Sequence, residues 1–113
     1  MSVDFKGTKI EDYFKGESKK VTTTITRTGV SSIENDTFTL YIWAESGSTA
    51  AHTLENTDIT KSGLTFTLNL TSAAFKALAV GDYLWKVLWE SDSQHNDLTK
   101  WIIYPKVKVM AVD

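Results

Sequence analysis

The chain has 113 residues, 42% apolar and 23% charged, which suits one globular domain with a single core. Its formal net charge of -2 argues against nucleic acid as a partner, since binders of that polyanion carry a basic stripe. Cysteine is absent, so disulfides and thiolate metal sites are excluded, and the apolar runs fall far short of the roughly 20 residues a membrane span needs.

Residues 1–16 read as an N-terminal arm or short helix, and residues 17–113 as the folded domain. Met1 to Ile10 is polar and has no signal-peptide apolar stretch, so synthesis in the cytoplasm is expected. The arm nevertheless carries Phe5, Ile10, Tyr13 and Phe14, apolar residues in an otherwise polar leader. They are candidates for lying on a neighbouring subunit.

From there the dominant signal is period-2 alternation, the mark of half-buried strands. "KKVTTTITRTG" (19–29) is rich in β-branched residues and sets Val21, Thr23 and Ile25 on one face. "TFTLYIW" (37–43) sets Phe38, Leu40 and Ile42 against Thr39, Tyr41 and Trp43. The stretch 49–60 suits one or two short strands at a sheet edge, and "LTFTLNLT" (64–71) puts Leu64, Phe66, Leu68 and Leu70 on one side. "TSAAFKALAVG" (71–81) breaks the alternation with a Thr or Ser cap, alanines and a terminal glycine, as a helical turn crossing between sheets would.

"GDYLWKVLWE" (81–90) follows. Its odd positions, Tyr83, Trp85, Val87 and Trp89, carry no charge, and its even positions carry three, so the odd face is the expected core face. Leu84 and Leu88 then point outward, where a solvated sheet would place polar groups. In "LTKWIIYPKVKVMAV" (98–112) Trp101, Ile103, Val107 and Val109 share odd positions, which places Ile102 and Tyr104 on the outer surface with the two leucines. Pro105 cannot donate to a ladder and marks an edge, a bulge or a bend. Such an apolar patch with a charged rim reads as a protein contact. Short strands with frequent turns give an all-β, antiparallel, immunoglobulin-like sandwich of about seven strands with one short helical crossover.

No catalytic constellation emerges. His52 and His95 are far apart, "SDSQHNDL" (91–98) lacks the glycine and spacing of a calcium loop, and neither a Gly-x-Ser-x-Gly elbow nor a phosphate loop is present. The reading is non-enzymatic, with no cofactor and no metal. Tyr41 and Trp43, on the less buried register of their strand, form the alternative site: a carbohydrate platform with Glu45 or Asn69 as polar partners.

The order of motifs in "DYFKGESKKVTTTITRTGVSSIENDTFTLYIW" (12–43) resembles the opening of small bacteriophage tail and baseplate domains. The shared elements are Tyr13-Phe14, Gly16-Glu17-Ser18, the strand from Val21 to Thr26, Gly29, and Ile33 to Phe38. Leu68 to Thr71, a helical turn and Leu78 to Val87 resemble the second half of those domains. The resemblance spans residues 12–110, with Glu17 and Ser18 replacing the more usual Asp and Thr. It implies an immunoglobulin-like structural protein of a phage or prophage virion, made in a bacterial cytoplasm. Such proteins are non-catalytic adaptors in the tail or baseplate, contacting other virion proteins and, where they form rings, themselves.

Overall fold

The computed structural model describes residues 5–6, 9–25, 32–45, 47, 49–91, 99–104 and 106–112. His95, the polar stretch 92–97, Gly29 and Pro105 lie outside these.

The strands are β1 (Phe5–Lys6), β2 (Tyr13–Phe14), β3 (Lys19–Thr24), β4 (Thr37–Ala44), β5 (Ala50–Leu54), β6 (Ile59–Ser62), β7 (Thr65–Leu70), β8 (Gly81–Glu90), β9 (Thr99–Ile103) and β10 (Val107–Met110). They form two sheets. The smaller is β3-β7-β6. In the larger, seven-stranded sheet, β8 is central: β4 lies along one edge of it, with β5 outside, and β9 and β10 follow one another along the other. The result is an all-β sandwich, and the stretch 49–60, expected to supply one or two short edge strands, holds β5 and the start of β6.

One helical turn, α1 (Ala73–Lys76), carries the chain from β7 to β8. Its geometry follows from its cap: the Ser72 hydroxyl accepts from the Phe75 N–H at 3.1 Å. That turn drives Phe75 fully into the core, where it stacks on Tyr13 at 5.3 Å and meets Trp85 edge-on at 6.1 Å. The β6–β7 hairpin closes through Gly63 and Leu64, and Gly63 takes φ +60°, a left-handed value that costs a side chain roughly 1–2 kcal/mol.

Two expectations change. The sandwich is not antiparallel throughout. β1 pairs parallel with β9 and β2 parallel with β10, so the arm is the outer strand of the large sheet. Parallel pairing needs a long crossover, and here the whole intervening domain supplies it. The arm's Ile10 and Tyr13 are accordingly core residues of this chain, 3% and 4% exposed, rather than free to lie on a neighbour. Phe14 does remain exposed.

The second change is one of phase. Lys86 pairs with Ile103, yet Tyr83 pairs with Val107, so three steps along β8 face four along its partner. One extra residue between β9 and β10 turns every side chain before it to the other face. Ile102 and Tyr104 therefore point inward and are fully buried, alongside Val107 and Val109. Trp101 and Ile103 point outward.

The two sheets are joined by aromatic stacking and by a polar stitch. Phe38 of β4 stacks on Phe66 of β7 with centroids 4.6 Å apart, and Trp89 lies nearly parallel to Phe38 on its own sheet. Across the core, the Tyr104 and Thr23 hydroxyls share a hydrogen bond of 2.9 Å. Asp36, only 1% exposed, accepts from the Trp89 indole N–H at 2.8 Å. Asp36→Ala should leave that donor buried without its carboxylate, at a cost of roughly 1–3 kcal/mol. Urea denaturation would read it, and Asp36→Asn, which keeps an acceptor oxygen, should recover part of the loss.

Candidate functional site

The outer face of the large sheet carries the functional candidates. Pairing dictates which side chains meet there, because residues opposite one another share a face. Thr39 faces Leu88, Tyr41 faces Lys86, and Trp43 faces Leu84; on the far side Leu88 faces Trp101 and Lys86 faces Ile103. Three strands thus present Tyr41, Trp43, Leu84, Leu88, Trp101 and Ile103 as one apolar band crossed by a single lysine.

Within the band the rings touch. Tyr41 and Trp43 lie 5.6 Å apart with planes 16° from parallel, and Tyr41 meets Trp101 at 5.8 Å across β8. Trp101 and Ile103 are 42% and 44% exposed, while Leu84 and Leu88 are half-buried beneath their larger neighbours. Lys86 Nζ sits 5.1 Å from the Trp43 ring centroid, a cation–π contact.

The band ends at Trp43 in a groove of about 440 Å³ lined by Trp43, Glu45, Gly47, Leu84, Lys86 and Lys106, among others. Lys106 Nζ lies 3.4 Å from Glu45 Oε2 and 3.8 Å from Asp82 Oδ2. These are exposed pairs, worth little to stability but enough to fix the local charge pattern.

Of the residues singled out from sequence, Leu84, Leu88, Tyr41 and Trp43 come together on this face. Ile102, Tyr104, Ile10 and Tyr13 do not, being buried in the core. The Phe5 backbone pairs with β9 at Ile102, and its side chain lies outside the description. Asn69 belongs to the opposite sheet, where its amide donates to the Thr60 hydroxyl and the Asp58 carbonyl, so it is no partner of Trp43. Trp101 and Ile103 are the members that sequence reasoning missed. The signal was Pro105: a break in the last strand permits a phase change, and Val107 and Val109 fix the phase only on their own side of it.

Elsewhere the chemistry is sparse. His52 faces inward against Phe75, and burial holds its imidazole below the ordinary histidine range. Among the described residues no group of three His, Asp or Glu side chains is placed to hold a metal ion. No helix among them is long and apolar enough to cross a membrane. Comparison of the chain with family models, curated proteins and solved structures finds no match.

Proposed function

We propose that the chain is a non-enzymatic structural module of a phage or prophage virion, an adaptor of the tail or baseplate that works through protein contacts. The observation that carries the contact is the apolar band, above all Leu88, Trp101 and Ile103 beside Tyr41. A solvated sheet face gains nothing from an indole and an isoleucine at over 40% exposure. Contiguous apolar surface rimmed by charge is what association buries, and aromatic residues dominate the energetics of such contacts. The virion setting rests on the order of motifs in residues 12–110, now joined by a sandwich fold of the kind that order implies.

Light scattering tests the contact. The expected mass is a multiple of the 12.6 kDa chain, falling to one chain in the double variant Trp101→Glu, Ile103→Lys. A wild-type protein that stays monomeric at high concentration would sink self-assembly through this face. The setting is tested separately by the flanking genes, where tail or baseplate genes are expected on either side.

A further inference from the structure

The groove at Trp43 lies at the far end of the outer face from Leu88 and Trp101, and its chemistry differs from theirs. At about 440 Å³ it falls in the size range of small-ligand sites. Trp43 and Leu84 supply apolar surface; Lys86, Lys106 and Glu45 supply charge.

The two lysines are not equivalent. Lys106 has its charge matched by Glu45 and Asp82. Lys86 rests over the Trp43 ring, and among the described residues no carboxylate stands at ion-pairing distance from it. The groove therefore offers an indole ring with an ammonium over it that no carboxylate among the described residues matches. A ligand that uses both needs a flat, weakly polar C–H face to stack on the ring and an anionic group at its edge. A bare carboxylate would leave the indole unused, and a neutral sugar would leave the ammonium unused. A sugar acid satisfies both, with Glu45 positioned among the lining residues to accept from its hydroxyls.

We propose that the Trp43–Lys86 groove binds a carboxylate-bearing sugar residue of an acidic polysaccharide. The pyranose displaces the Lys86 ammonium from the Trp43 ring and stacks there, and the displaced ammonium donates a charge-assisted hydrogen bond to the carboxylate at the sugar's edge. No bond is made or broken. This site adjoins the protein contact on the same face: it takes the Trp43, Leu84 and Lys86 end of the band, whereas that contact rests above all on Leu88, Trp101 and Ile103.

An NMR titration on the full chain decides it, because the four indole N–H signals report separately on two core and two outer tryptophans. Oligogalacturonate and the matching neutral galactose oligomer are the probes. Saturable movement of the Trp43 signal is expected with the acidic oligomer, with Trp85 and Trp89 still. Lys86→Met, which keeps an unbranched side chain and removes only the charge, should weaken acidic binding about fivefold to tenfold, the worth of one charged contact. Trp43→Ala should abolish binding while the core indole signals stay in place. If that variant does not fold, Lys86→Met alone decides. Equal response to the neutral oligomer, acidic binding undiminished by Lys86→Met or by Trp43→Ala, or no response overturns the proposal. None of these outcomes touches the light-scattering test of the apolar band.

Discussion

Trp85→Ala should cost about 3–5 kcal/mol, enough to unfold much of a domain this size at 25 °C. The reason lies in position rather than in residue type. Trp85 sits mid-way along the central strand, fully buried, with Phe75 and Tyr13 both edge-on to it at 6.1 and 6.4 Å. Those neighbours come from the crossover turn and from the arm, so the indole is where three separate parts of the chain meet. Truncation leaves a cavity that the flanking β4 and the Tyr104 backbone, which donates to the Trp85 carbonyl, cannot close without breaking their hydrogen bonds. Trp101→Ala, the same change on the outer face, should move stability by well under 1 kcal/mol, in the range of surface substitutions. Paired urea curves would check both. Similar costs for the two would refute the division of this sheet into a core face and an outer face.

A second large effect is expected in alkali. Three buried tyrosines are harder to ionise in the fold than in the unfolded chain, where the ordinary value is 10.0. Burial pushes Tyr104 up to about 12, partly offset by its hydrogen bond with Thr23. Tyr13 is raised further by burial and by Tyr83 beside it, and Tyr83 is raised by burial. Below pH 10 both states keep their phenolic protons, and the fold has its full stability. Above pH 10 the unfolded chain releases them first, so stability falls as pH climbs toward the folded values. Tyr104 alone accounts for about 2–3 kcal/mol of loss between pH 10 and 12. Denaturant midpoints measured across that window should drop, and Tyr104→Phe should make the drop shallower. A flat profile, or one unchanged in that variant, would contradict the buried stitch between the sheets.

Much of this architecture is legible in the alternation of the chain. The inward faces of β3, β4, β7 and β8 follow from which positions avoid charge, and the crossover turn follows from its cap and alanines. What alternation cannot supply is phase across a break. Residues 101–104 read equally well with either face inward, since Trp101, Ile102, Ile103 and Tyr104 are all apolar or aromatic. The choice is made by pairing with β8, and one extra residue reverses it. Asp36 illustrates a second limit. In sequence it is a turn residue; its role as acceptor for Trp89 exists only once β4 and β8 are set side by side. The outer site was half legible for the same reason. Tyr41, Trp43, Leu84 and Leu88 lie on strands of clear phase, whereas Trp101 and Ile103 lie on the strand whose phase was reversed.

The parallel seam between β2 and β10 has a mechanical consequence. Suppose force enters through the chain before Phe5 and leaves through the chain after Met110. Two parallel strands are then drawn in opposite directions along their own axes. Their hydrogen bonds are loaded together, in shear, instead of opening one at a time like a zip. The Lys15 N–H to Met110 carbonyl bond and the Asp12 carboxylate on the Lys108 N–H extend that seam beyond the paired residues themselves. A domain strung between neighbours in this way would resist tension best in the direction in which its own backbone runs.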